Sequence, residues 1–117
     1  MLLGEVSIGT NDVIRIADFY RKVLKISLEY NSEENRNEKH QFIITEGTTL
    51  TIHYNDKINS GNNICLAFTV DNVDDEYERL SKLGIFIIDP PKTQPWGARN
   101  MHFCDPDANH LYFITIL

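Results

Sequence analysis

Gln94-Pro95-Trp96-Gly97-Ala98-Arg99-Asn100-Met101-His102-Phe103-Cys104-Asp105-Pro106-Asp107-Ala108-Asn109-His110-Leu111-Tyr112-Phe113 is the stretch on which the fold turns. Its middle, Asp105-Pro106-Asp107-Ala108-Asn109, is turn chemistry. Proline presets φ at the second position of a type I turn, and Asp and Asn side chains bond nearby backbone. The flanks are rich in apolar and aromatic residues, as strands require. A hairpin is therefore predicted, with arms Arg99 to Cys104 and His110 to Ile116. Upstream, Pro90-Pro91 is expected to break a strand running from Ile85 to Ile88. Before it, Asp71-Asn72 can cap a helix carrying Val73, Tyr77, Leu80 and Leu83, with Gly84 as its stop. Ile64 to Val70 reads as the strand preceding that helix.

The first half follows the same order. Leu2 to Gly9 alternates, with Val6 and Ile8 on one side and Leu3, Glu5, Ser7 and Gly9 on the other, which is a half-buried strand. Asn11 and Asp12 are N-cap residues, and Val13, Ile16, Ala17, Tyr20 and Leu24 recur at the spacing of an amphipathic helix. Ile26 to Tyr30 reads as a strand and Asn31 to Lys39 as a loop. Gln41 to Thr45 and Thr48 to Tyr54 read as a hairpin around Glu46-Gly47. Asn55 to Asn62 is rich in Asn, Asp, Lys, Ser and Gly and reads as a linker. Two halves with the order strand, helix, strand, strand, strand indicate an internal repeat. Asn11-Asp12-Val13 echoes Asp71-Asn72-Val73, and Leu24-Lys25-Ile26 echoes Leu83-Gly84-Ile85. The expected division is one domain over 1–117, with module one at 1–55, a linker at 56–62 and module two at 63–117.

A chain of 117 residues, 42% hydrophobic and 24% charged, can bury one domain-sized core. The formal charge of -6 argues against a nucleic-acid partner, which needs a basic stripe. Two cysteines, Cys65 and Cys104, do not make a disulfide framework. No leader pattern or long apolar run is present, so the expected location is cytoplasmic, with no membrane partner. The chain carries no nucleophile elbow, glycine-rich phosphate loop or dinucleotide fingerprint.

The order Pro-Trp-Gly, Arg99, strand, Asp-Pro-Asp-x-Asn, strand resembles the last two strands of the glyoxalase/bleomycin-resistance/dioxygenase superfamily, the vicinal-oxygen-chelate fold. The Pro-Trp-Gly-x-Arg spelling is closest to its bleomycin-resistance branch. Phe19-Tyr20 followed by Val23-Leu24 resembles the family's Phe-Tyr-x-x-x-Leu-Gly helix, with Lys25 where the family has its helix-ending Gly. Ala108 likewise stands where the family's turn usually has Gly. The resemblance implies an α+β fold of two βαβββ modules whose mixed sheets form a cleft. It also implies, in many members, a divalent metal held by His, Glu or Gln on the first and last strands of each module. Those four positions fall here on Glu5, Thr51, Cys65 and Tyr112. Glu5 is a conventional ligand and Cys65 a conditional one, whereas Thr51 and Tyr112 are poor or uncommon donors. Members that bind metal mostly carry Glu where this chain has Tyr112. A catalytic divalent site needs about three protein donors and an open position, so no metal cofactor is expected.

Strand alternation gives a second view of the site. Apolar residues cluster on one parity, namely Val6 and Ile8, Leu50, Ile52 and Tyr54, Ile64, Leu66, Phe68 and Val70, and Leu111 and Phe113. The other parity carries Glu5, Ser7, Thr49, Thr51, His53, Cys65, Ala67, Thr69, His110 and Tyr112, a polar face that either lines the cleft or meets solvent. His53, His102 and His110 could bind metal or exchange protons near neutral pH. The simpler expectation is that these are scattered surface or hydrogen-bonded residues, with His40 a strand-end residue. Trp96 is held between Pro95 and Gly97, where it either stacks on a planar or cationic ligand or covers a core edge or subunit contact. Arg99 either anchors a carboxylate or phosphate bidentately or pairs with the Asp105/Asp107 turn.

The expectation is a small-molecule-binding, sequestering homolog without a metal, working as a homodimer whose cleft is lined by Glu5, Thr51, His53, Cys65, His102 and Tyr112, with Trp96 and Arg99 at its mouth. Two alternatives stand beside it. One is a metal-dependent lyase, isomerase, dioxygenase or thiol-transferase of the same superfamily, and the other is a ligand-free structural or regulatory homolog.

Overall fold

The computed structural model describes residues 1–26, 28–32, 39–56 and 64–117, the segment 28–32 as backbone. The element order is β1 (Glu5–Thr10), α1 (Val13–Leu24), β2 (Leu28–Ser32), β3 (Lys39–Thr45), β4 (Thr48–Tyr54), β5 (Cys65–Thr69), α2 (Val73–Lys82), β6 (Ile87–Gln94), β7 (Ala98–Cys104) and β8 (His110–Ile116). Contacts divide the chain into two compact units, Met1–Ser60 and Gly61–Leu117. The linker expected at 56–62 lies, apart from Asp56, outside the described residues.

Each unit is a four-stranded mixed sheet with one helix, and the two sheets share a topology. The first has the order β1-β4-β3-β2 and the second β5-β8-β7-β6. In each, the first strand runs parallel to the last, and the remaining pairs are antiparallel. This α+β arrangement is the pair of βαβββ modules that the repeated element order predicts.

Each helix forms where capping and periodicity agree. Asp12 takes a non-helical conformation, with φ -142° and ψ 77°, and its carboxylate accepts from the Arg15 amide at 3.3 Å, opening α1. Val13, Ile16, Tyr20 and Val23 are fully buried along one stripe, with Phe19 and Ala17 beside them. Asn72 opens α2 by accepting from the Asp74 and Asp75 amides at 3.0 and 3.2 Å. Asp74, Asp75 and Glu76 then sit in the first turn, where the helix dipole favours negative charge. In the sheets, Ile8, Leu50, Ile52, Leu111 and Phe113 are buried on the parity read from the sequence, while Leu66 and Phe68 are half-buried.

Several boundaries differ from the sequence reading. The strand expected at Ile26 to Tyr30 lies at Leu28–Ser32, so part of the expected loop is β2. Pro90-Pro91 does not end its strand, because β6 runs from Ile87 through both prolines to Gln94. The reason is its position. β6 is the edge of its sheet, and its register with β7 shifts between Asp89 and Lys92, skipping the residues that lack an amide proton.

Two turns use left-handed backbone at residues other than glycine. Lys25, just past α1, has φ 54°, and Ala108 in the Asp-Pro-Asp turn has φ 67°. A side chain at positive φ costs about 1–2 kcal/mol relative to glycine, partly offset by the greater freedom of glycine in the unfolded chain. Lys25→Gly and Ala108→Gly are therefore each expected to raise stability by up to about 1 kcal/mol in denaturant melts. A clear loss at either position would contradict the strain argument.

Candidate functional site

The site of the second unit is built by register. Along β7 the side chains alternate, so Asn100, His102 and Cys104 share one face while Met101 and Phe103 are buried on the other. His102 stands opposite Tyr112, and Cys104 opposite His110. The Asp105 turn fixes that register. Its buried carboxylate accepts from the Asp107 amide at 2.9 Å, the Asn109 amide at 3.0 Å and the Asn109 side chain at 2.9 Å. Pro106 and the bond from the Ala108 amide to the Asp105 carbonyl at 3.0 Å complete the predicted turn.

On this face the rings of His102 and Tyr112 lie flat on each other, with centroids 4.5 Å apart and planes 5° from parallel. The other neighbour of His102 is His110, its Nε2 lying 2.7 Å from His110 Nδ1. Asp89, from β6, approaches His102 Nδ1 at 3.1 Å. A carboxylate only accepts, so His102 Nδ1 carries the proton. In the neutral ring Nε2 is then the acceptor, and His110 Nδ1–H donates to it. Cys104 Sγ is 3.5 Å from that same His110 nitrogen. Burial pushes the Cys104 thiol pKa up, and the negative charge of Asp105 adds to the effect.

Beside this cluster is a cleft of about 510 Å³ formed by Asp89, Lys92, Trp96, Asn100, His102 and Tyr112 among others. That volume is in the range of small-molecule sites. Trp96 reaches it from the tip of the β6–β7 hairpin. The Gly97 amide donates to the Gln94 carbonyl at 3.3 Å, and Gly97 itself has φ 88°, the geometry of a type I turn followed by a glycine bulge. Trp96 is left 70% exposed. The Asn100 amide oxygen is buried and has no hydrogen-bond partner, leaving an acceptor that a donor group could satisfy.

Of the other sequence-stressed residues, Arg99 faces away from His102. Its Nε and a terminal nitrogen hold Asp74 of α2 at 2.9 and 3.0 Å, and it also donates to Thr93 at 3.0 Å. The fork that suited a carboxylate is thus filled by Asp74, whereas proximity in sequence had pointed to the Asp105/Asp107 turn. The Arg99 hydrogen bond holds the Asp74 pKa below the ordinary carboxylate range. Its contribution to stability is present above that range and is lost as pH falls through the lowered value. In the first unit, Thr51 is 5% exposed, donates to Glu5 at 2.9 Å and accepts from Gln41 at 3.3 Å. His53 Nδ1 is 2.9 Å from the Ser7 hydroxyl. Cys65 is exposed on β5 in register with His110.

Residues 2–113 match the family model of the Glyoxalase/Bleomycin resistance protein/Dioxygenase superfamily. The chain belongs to this superfamily. Among solved structures, the fosfomycin resistance protein FosX from Listeria monocytogenes is similar at 19% identity and TM-score 0.82, covering 100% of this chain and 94% of that one. TnmS3, an antibiotic binding protein from Streptomyces sp. CB03234, is similar at 24% identity and TM-score 0.81, covering 100% and 97%. TioX from Micromonospora sp. ML1 is similar at 17% identity and TM-score 0.80, covering 100% of both chains. No curated protein matches the sequence significantly.

The superfamily's metal positions fit a divalent ion poorly in this member. Glu5 is a hard donor, but its oxygen already accepts from the Thr51 hydroxyl. Cys65 is an exposed thiol, and Tyr112 is a phenol committed to the stack on His102. Hard divalent ions need several carboxylate or imidazole donors converging on one point. The sequence reading missed Asp89, Lys92 and Cys104, and placed Asn100 on the His102 face without giving it a part in the site. Alternation could have put Cys104 beside His102, since the two are next neighbours on one strand face. Nothing local could have brought in Asp89, whose place depends on the bulged register of an edge strand.

Among the described residues no helix is long and apolar enough to cross a membrane.

Proposed function

We propose that this protein binds and sequesters a small organic molecule in the cleft of its second unit, without a metal at the superfamily position. The observation that carries the reading is Tyr112. Metal-binding relatives mostly place a carboxylate at this position, and this chain places a ring stacked on His102. An aromatic surface next to exposed Trp96 suits a planar, largely apolar body. Lys92, Asp89 and Asn100 supply the few polar groups that would orient it. The relative named as an antibiotic binding protein, similar in fold, supports the same reading.

The proposal extends to a cytoplasmic homodimer. A two-fold contact is the commonest oligomer, and the superfamily's clefts are often completed across one. A small-molecule thermal-shift screen, with metal analysis of the purified protein, tests the function. A true ligand at a hundred-fold excess over its Kd stabilises by about 2.7 kcal/mol, a shift on the order of 10 °C. The expected result is such a shift in protein lacking stoichiometric metal at Glu5, Thr51, Cys65 and Tyr112. Bound manganese, nickel or zinc that is lost on Glu5→Ala would overturn it. Sedimentation as a monomer at all accessible concentrations would overturn the dimer.

A further inference from the structure

We propose that His102, Cys104 and His110 form a metal site at the edge of the cleft, sharing His102 with its lining, that takes a zinc-class divalent ion. Among the described residues this is the group of three metal-ligating side chains whose donor atoms all lie within 4.8 Å of one another. Two imidazoles and a thiol are the donor set of borderline-soft ions, which prefer nitrogen and sulfur to oxygen. The superfamily positions Glu5, Thr51 and Tyr112 play no part in it. The site therefore does not rest on the ligand-binding reading.

Two of the three donor spacings lie near the edges of a tetrahedral site, and the whole set closes within 4.8 Å, so small side-chain rotations complete it. With metal–nitrogen bonds near 2.0–2.1 Å and metal–sulfur near 2.3 Å, a tetrahedron has nitrogen–sulfur edges of about 3.6 Å and nitrogen–nitrogen edges of about 3.3 Å. Cys104 Sγ and His110 Nδ1 already stand 3.5 Å apart. His102 Nε2 and His110 Nδ1, at 2.7 Å, are held together by the proton between them and need to open by about half an ångström when an ion replaces it. On binding, the His110 proton moves from Nδ1 to Nε2 and the Cys104 thiol proton leaves to solvent, so both lone pairs face the ion.

The independent observation is Asp89. By accepting from Nδ1 at 3.1 Å it fixes His102 as the tautomer whose Nε2 is unprotonated, a lone pair that accepts from His110 now and would face the ion once that proton moves. A carboxylate behind a ligating histidine is the outer arrangement that metal-binding histidines use. Burial does not force this contact, since the Asp89 side chain is largely exposed at the sheet edge. Three protein donors leave the fourth position open to water or to a donor atom of a molecule in the adjoining cleft.

Titration of the purified, metal-stripped protein with cobalt(II), a spectroscopic stand-in for zinc, is the test. One equivalent is expected to give tetrahedral visible bands and a thiolate-to-cobalt charge-transfer band, both removed by one equivalent of zinc(II). Cys104→Ser is expected to abolish the charge-transfer band and Cys65→Ser to keep it. Asp89→Asn, at an exposed position, is expected to weaken zinc(II) affinity 10–100-fold with unchanged thermal stability of the apo protein. Three results would overturn the site: no charge-transfer band, a band that survives Cys104→Ser, or zinc(II) affinity indifferent to Asp89→Asn.

Discussion

Asp105→Ala is expected to lower stability by about 3 kcal/mol or more, the largest effect of any single substitution in the turn. The carboxylate is 4% exposed and accepts three hydrogen bonds, two from backbone amides and one from the Asn109 side chain. Alanine leaves those donors inside the turn without an acceptor, and each buried unsatisfied donor costs roughly 1–3 kcal/mol. Some of that is recovered by relaxation, which is why the lower part of the summed range is the expectation. For a chain of this size the melting temperature should fall by roughly 12 °C or more. Asp105→Asn keeps an acceptor and should lose less. The consequence reaches the site, because this turn sets the register that faces His102 to Tyr112 and Cys104 to His110. A loss under about 1 kcal/mol for Asp105→Ala would mean that water replaces the carboxylate and that the register is held elsewhere.

Tyr112→Ala and Trp96→Ala should each weaken a screened ligand by about 1–2 kcal/mol or more, at least five- to thirty-fold in Kd. Buried aromatic anchors carry a large share of binding energy because they offer wide, rigid contact area. The two substitutions differ in what else they change. Trp96 is an exposed turn residue, so its removal should leave the melting temperature of the free protein nearly unchanged. Tyr112 supports His102, so its removal should also loosen that ring. Titration calorimetry on both variants checks this. Ligand affinity indifferent to both substitutions would move the binding site away from the second unit's cleft.

The sequence carried most of the architecture because local rules decided it. Asp12 and Asn72 cap helices, Gly47 and the Asp105 turn close hairpins, and the apolar stripes of α1 and α2 have the helical period. The doubled element order then fixed the repeat. Misreadings arose where a rule depends on neighbours. Pro90 and Pro91 break a central strand but not an edge strand, and strand position is not written locally. Arg99 found its acid in Asp74, which is brought near only when α2 packs on its sheet. The candidate site was legible to the extent that alternation placed His102, His110 and Tyr112 on one surface. Asn100 follows from the same alternation, whereas Asp89 and Lys92 join through the pairing of β6 with β7, a long-range choice that spacing alone does not encode.

The central claim, ligand binding without a metal at the superfamily position, is tested most directly by calorimetric titration of a screened ligand into metal-stripped protein. Cys104→Ser is titrated alongside, to separate any effect of the His102–Cys104–His110 site. The account predicts the same Kd, within about two-fold, before and after stripping, and a Kd weakened at least about five-fold in Tyr112→Ala. Binding that vanishes on stripping, returns with one equivalent of manganese, nickel or zinc, and is abolished by Glu5→Ala would contradict it.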